Sequence, residues 1–142
     1  MVSFLKKQEV TASAPAKVIL FGEHFVVYCE PAIVLAIDKR AYASAQLRKD
    51  KLIYINSSNM RVSGTFKEER FQGEKGGLKA RAKLEPVKNA VQQVLQRAHK
   101  KIGVNVHINS DIPVSAGLGS SAAVATSTIL AVSHLLGMEL PH

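Results

Sequence analysis

The chain has 142 residues, 46% of them apolar, and 19 Lys and Arg against 11 Asp and Glu give it a net charge of +8. That length suits one domain burying roughly two-thirds of its extended surface, and no apolar run approaches the ~18 residues of a membrane-spanning helix. One cysteine, Cys29, leaves no intrachain disulfide and no Cys-x-x-Cys zinc site; Met1 to Glu9 lacks the apolar core and cleavage site of a secretion signal, so a cytoplasmic location is expected.

Ser13 to Tyr28 places Lys17, Glu23 and His24 around a short hydrophobic strand that ends in a turn at Gly22. Polar groups at such an end are better placed to meet a small ligand than groups in mid-strand, and Lys17 offers a fixed positive charge for a phosphate or carboxylate. Taken singly, Lys17 reads as a solvated lysine and His24 as a hydrogen-bonded surface or half-buried residue. Ala32 to Leu47 reads as a long extended stretch with an irregularity at Asp38-Lys39-Arg40. Lys51 to Ile55 and the alternating Met60 to Phe66 predict a hairpin or meander around the turn cluster Asn56-Ser57-Ser58-Asn59. Gln72 to Gly77 reads as a flexible connection, not a phosphate loop, because no regular strand feeds it.

A helix is expected from Glu85-Pro86, since proline is tolerated at the first helical position. Val87, Val91, Val94, Leu95 and Ala98 form its apolar stripe, Arg97 to Lys101 complement its dipole, and Gly103 closes it and opens the following strand. Val104 to Asn109 alternates as a strand, and Ala122 to Leu136 is small and apolar at helical spacing.

Between that strand and helix lies Pro113-Val-Ser-Ala-Gly-Leu-Gly-Ser-Ser-Ala-Ala123. Strand, glycine-containing loop and helix start leave free N–H groups facing whatever occupies the helix N-terminus, and an anion is the expected occupant. Gly117 and Gly119 let backbone approach a ligand closely, and Ser120 and Ser121 add hydroxyls. The spacing matches neither Gly-x-x-x-x-Gly-Lys-Ser/Thr nor Gly-x-Gly-x-x-Gly. A serine-capped helix after an ordinary turn is the plain alternative. Residues 67–101 hold ten basic and four acidic residues. Without aromatic platforms among them they read as a solvated face favouring anionic substrates rather than a nucleic-acid surface.

Both signature stretches resemble those of the GHMP small-molecule kinase superfamily, which includes galactokinase, homoserine kinase, mevalonate kinase and phosphomevalonate kinase. Pro-x-x-x-Gly-Leu-Gly-Ser-Ser-Ala-Ala is shared across the superfamily. Ala14-Pro-Ala-Lys-Val-Ile-Leu-Phe-Gly-Glu-His-Phe-Val-Val-Tyr28 is most similar to the mevalonate kinase branch. Ala16 and Cys29 stand where that branch usually has glycine, and Ser115 replaces a common loop glycine.

The resemblance implies an α+β, two-layer domain related in shape to ribosomal protein S5 domain 2, a mixed or antiparallel sheet carrying helices 86–100 and 120–136 on one face. It implies transfer of the ATP γ-phosphate to mevalonate, giving 5-phosphomevalonate, with phosphomevalonate kinase, a related kinase, or a noncatalytic nucleotide-binding or interaction domain as alternatives. It assigns ATP contacts to Asn56, Ser110, Pro113, Val114, Ser115, Ala116, Gly117, Leu118, Gly119, Ser120, Ser121, Ala122 and Ala123. It assigns Mg²⁺ to Ser121, substrate contacts to Lys17, Glu23 and His24, and the catalytic role to Lys17. Superfamily enzymes also have a second half supplying an aspartate, an acidic metal ligand and a third glycine-rich segment. Residues 1–142 are therefore expected to be an N-terminal ATP-binding domain without its C-terminal kinase domain, inactive alone. The expected partners are mevalonate or a related alcohol and a homodimer mate or separately encoded C-terminal half, with neither nucleic acid nor membrane.

Overall fold

A computed structural model describes residues 8–113 and 116–138. The first strand, β1 (Glu9–Phe21), turns at Gly22 and pairs antiparallel with β2 (Ile33–Arg48). Gly22 has φ +88°, and a Cβ there would lie 2.6 Å from the Pro31 carbonyl oxygen, so glycine is required twice over. Pro15 faces Arg40 while Ala16 faces Ile37, which leaves Asp38 and Lys39 as the expected irregularity. Pro15 is tolerated because β1 is an edge strand.

Strands β3 (Ile53–Ser57), β4 (Val62–Lys67), β5 (Arg70–Lys75) and β6 (Gly103–Ser110) complete a six-stranded sheet of order β1-β2-β6-β3-β4-β5. It is mixed: β3 runs parallel to β6, and every other pair is antiparallel. Two helices, α1 (Ala80–Arg97) and α2 (Ser120–Leu135), pack against the sheet and each other. The main core lies between these layers, with Ile55, Val62, Phe66, Val104 and Val106 of the sheet meeting Leu84, Val91 and Val132 of the helices. Each such side chain stabilises the fold by about 1.5–3 kcal/mol relative to exposure. The other face of the sheet is polar, because period-2 alternation turns Tyr54, Asn105 and His107 outward.

Three sequence expectations are corrected. Helix α1 begins at Ala80, not at Glu85-Pro86, and Pro86 sits inside it. Proline in a helix interior costs about 3 kcal/mol, but Leu84 and Ala80, two and six residues upstream, are wholly buried, and Ala, Arg, Lys and Leu favour helix there. The helix ends at Arg97, where His99, at φ +52°, makes the left-handed turn and Lys100 N–H donates to the Leu95 carbonyl. Gly103 therefore does not close the helix, but it opens β6 as expected, buried where a Cβ would strike the backbone of Asp50 and Leu52. Finally, Gln72 to Lys75 is not a loose connection but part of β5, whose Phe71 ring covers Gly64 and tilts against Phe66 at 4.7 Å.

One region stands clear of the core. The distal ends of β1 and β2 and the 3-10 turn Val26–Tyr28 extend as an arm with Phe21, Phe25, Val27 and Tyr28 each at least 65% exposed. Among the described residues, no helix is long and apolar enough to cross a membrane.

Candidate functional site

A second, smaller core places the site. Ala14 and Ala16 of β1, Ala41 of β2, Ala123 of α2 and Ile112, just after β6, form a buried cluster in which all but Ile112 are alanine. Small side chains let β1 run close beneath the start of α2. The contact is sealed by a backbone hydrogen bond from Lys17 N–H to the Leu118 carbonyl, 3.0 Å.

Lys17 consequently lies across the loop. A Cβ on Gly119 would stand 3.0 Å from Lys17 Cγ and 3.3 Å from its Cε, so the stem of the side chain rests on the glycine. Gly117 and Gly119 have φ of +69° and +74°, the left-handed conformation that glycine adopts without strain. Lys17 and Ala116 to Ser121 line one concavity at this point.

Helix α2 starts immediately behind it. Gly119 is the N-cap and provides no side-chain cap, and no acidic residue occupies the first turn. Ala123 N–H donates to the Gly119 carbonyl. The N–H groups of Ser120, Ser121 and Ala122 come before any carbonyl the helix could offer them. Three free donors, the positive end of the helix dipole and the Lys17 ammonium thus share one small volume, an arrangement suited to a polyanion.

Ser120 and Ser121 also line a second cavity of about 290 Å³ on the other side of the helix start. Its walls include the apolar Met60, Pro86, Val87, Ile112 and Val124, with Ser57, Asn59, Lys83 and Ser110 as polar points. A polyanion cradle and a largely apolar slot that share Ser120 and Ser121 suit a phosphorylated molecule with an apolar end.

The expected site residues divide accordingly. Lys17, Ala116, Gly117, Leu118, Gly119, Ser120 and Ser121 converge on the cradle, and Ser110 joins the slot. Glu23 and His24 are exposed in the turn after Gly22 and line neither concavity. Pro113 and Ala122 are exposed but line neither, and Val114 and Ser115 lie outside the described residues. Two contacts expected of ATP need correcting. Ala123 is 4% exposed and packs in the alanine cluster, and its N–H is already used within the helix. Asn56 alternates with the buried Ser57 and so takes the opposite face of the sheet from the slot.

Sequence reading missed Ser57, Asn59 and Lys83. The Asn56 to Asn59 cluster marked the turn but not which residue faces inward. Lys83 lies within α1, upstream of the start that Glu85-Pro86 suggests. Among the described residues no three His, Cys, Asp or Glu side chains converge as a metal site.

The chain is similar to known kinases in sequence and in fold. The family described as GHMP kinases N terminal domain matches residues 85–142. A mevalonate kinase of Pyrococcus furiosus is 52% identical over 136 residues, covering 93% of this chain and 41% of that protein. The crystal structure of the Methanococcus jannaschii mevalonate kinase superposes with a TM-score of 0.72 at 28% identity, covering 97% of this chain and 43% of the other. That of Lactococcus lactis galactokinase complexed with galactose gives 0.74 at 24% identity over 95% and 34%, a likeness of fold. The chain thus spans about 41% of the length of the Pyrococcus relative.

Proposed function

The chain belongs to the GHMP kinases, and we propose that it is the N-terminal, nucleotide-binding part of a mevalonate kinase, which moves the ATP γ-phosphate to mevalonate and yields 5-phosphomevalonate. The observation that carries this reading is Lys17 lying across a glycine loop whose helix start supplies free N–H donors. The 52% identity to a mevalonate kinase supports mevalonate as the acceptor alcohol.

In this reading the triphosphate occupies the cradle and the base enters the 290 Å³ slot, with Ser120 and Ser121 at the junction. Phosphoryl transfer leaves little covalent work to the protein and gains mainly from positioning and charge stabilisation. The N–H groups of Ser120 and Ser121 hold phosphate oxygens, and Lys17 neutralises charge that builds on the transferred group or on the acceptor oxygen. Glu23 and His24, at the exposed end of β1, take the mevalonate side.

For Mg²⁺, the Ser121 hydroxyl is one hard oxygen, and Mg²⁺ otherwise prefers phosphate oxygens, water and one or two carboxylates. Ser121 therefore fits an ion held chiefly by the nucleotide, whose chemistry when bound is neutralisation of phosphate charge. The exposed apolar arm around Phe25 and Tyr28 is the surface on which the remaining part of a kinase packs, closing mevalonate in beside Lys17.

The test is a calorimetric titration of the 142-residue polypeptide with Mg·ATP and with tripolyphosphate, followed by a phosphomevalonate assay. Both ligands should bind, both should weaken in Lys17→Met, and sustained turnover should be absent. Binding indifferent to Lys17 would sink the assignment.

A further inference from the structure

The side chain of Asn59 makes two hydrogen bonds, both to the backbone of one residue. Its Nδ2 donates to the Ser110 carbonyl at 2.6 Å, and its Oδ1 accepts the Ser110 N–H at 2.6 Å. The two backbone partners fix the orientation of the amide, since reversing it would set donor against donor and acceptor against acceptor.

The location explains the need. Strand β3 pairs with β6 only as far as Ser57 opposite Ile108, and the last backbone bond between them is Ser58 N–H to the Ile108 carbonyl, 3.0 Å. Beyond that point β6 still has β2 on one side, with Ala41 opposite Ser110 and Asp111 N–H donating to the Arg40 carbonyl. On the other side its neighbour strand has turned away. The Asn59 amide takes the place of the missing strand and supplies one more rung. Ser110 is the last residue of β6 before the chain enters the loop that leads to Gly117 and Gly119, and its own Oγ accepts the Ile112 N–H at 3.2 Å.

We propose that Asn59 is a positioning residue: its carboxamide fixes the take-off point of the phosphate loop and the width of the adjoining slot, and does not read the base. Asn59 lines the slot, and a polar side chain there invites the opposite assignment. Its donor and acceptor, however, are both directed at Ser110. The proposal rests on the nucleotide-binding reading above, and its test separates the two.

Asn59→Ala, Arg48→Ala and wild type are compared at matched folded fraction for three affinities, Mg·ATP, Mg·GTP and tripolyphosphate, and for hydrogen exchange at the Ser110 amide. Arg48→Ala serves as the control for simple destabilisation, because it breaks hydrogen bonds to Asp50 and Asn105 at the opposite end of β6. In Asn59→Ala, Ser110 exchange should quicken and tripolyphosphate and ATP should weaken by the same factor, about fivefold for the loss of one net hydrogen bond. The ATP-to-GTP ratio should stay constant, and Arg48→Ala should leave all three affinities in place. Loss confined to the nucleotides, with a changed ATP-to-GTP ratio, overturns the proposal in favour of base contact. Equal losses in the two variants overturn it in favour of a structural role. Unchanged affinities in Asn59→Ala overturn positioning alone, whereas a wild-type chain that binds none of the ligands overturns both readings.

Discussion

Exchanging each loop glycine for alanine isolates what Lys17 contributes. Gly117 and Gly119 have almost the same backbone conformation, φ +69° and +74°. Alanine at either should therefore cost about 1–2 kcal/mol of left-handed strain, lowering Tm by about 3–8 °C in a chain of this size. The surroundings differ. A Cβ at position 117 meets nothing within 4 Å, but at 119 it stands 3.0 Å from Lys17 Cγ. The side chain must give way by a few tenths of an ångström near its root, which moves the ammonium by ~1 Å because it lies further out on the same lever. For a phosphate charge ~4 Å away at an effective dielectric of ~20, retreat to ~5 Å removes about 0.8 kcal/mol, a factor of about four. Gly119→Ala should thus bind tripolyphosphate about fourfold more weakly than Gly117→Ala at equal stability. The same comparison in a Lys17→Met background should give equal affinities. Calorimetric titration of the four variants, with melting curves to match folded fractions, provides the numbers. A fourfold difference that persists without Lys17 would refute the reasoning, since the loop itself would then be responsible.

The remaining expectations concern metal, packing and pH. Ser121→Ala should raise the Mg²⁺ concentration needed for nucleotide binding; Ser127→Ala, whose buried hydroxyl only donates to the Val124 carbonyl at 3.1 Å, should change urea stability and leave the Mg²⁺ titration alone. Gly103→Ala forces a Cβ into the Asp50 and Leu52 backbone and should destabilise by about 1–3 kcal/mol, read as a lower urea midpoint. The hydrogen bond from Arg48, partly opposed by desolvation, holds the Asp50 carboxyl at about 2 against an ordinary 3.8. A depressed carboxylate stabilises the fold above its unfolded value and loses that contribution as pH falls through its folded one. Arg48→Met should therefore flatten stability between pH 4 and pH 2, and carbon NMR should find Asp50 titrating near its ordinary value. A midpoint still near 2 in that variant would exclude Arg48 as the cause.

What the sequence made legible was local. The β6–loop–α2 run could be read because alternation gives way to small apolar residues at helical spacing, with two glycines and two serines between. Asp38-Lys39 could be read as an irregularity because charge interrupts an otherwise apolar strand. Features decided by tertiary contact were not legible. Pro86 looked like a helix start, and only the burial of Leu84 and Ala80 against the sheet carries α1 further back. β5 looked like a connection because an edge strand needs backbone pairing more than apolar alternation, and Arg70 to Lys75 has the first without the second. The meeting of Lys17 with Leu118 joins residues from opposite ends of the described chain, and no periodicity encodes it.

The alanine cluster shows how the core and the site depend on each other. Ala14, Ala16, Ala41 and Ala123 each bury little apolar surface, so their joint contribution to stability is small beside that of Leu84 or Phe66 in the main core. Their value is distance. A valine or leucine at any of them would need volume that the close approach of β1 to α2 does not leave, and overpacking of that kind is relieved by backbone shifts. The backbone in question carries Lys17 on one side and Leu118 on the other. Ala16, at 1% exposure, fits within the seam. Its single methyl leaves the hydrogen bond between Lys17 and Leu118 in place at 3.0 Å. Enlarging Ala16 or Ala123 should consequently weaken polyanion binding by more than its cost in stability accounts for, because the residue displaced is the one that carries the charge.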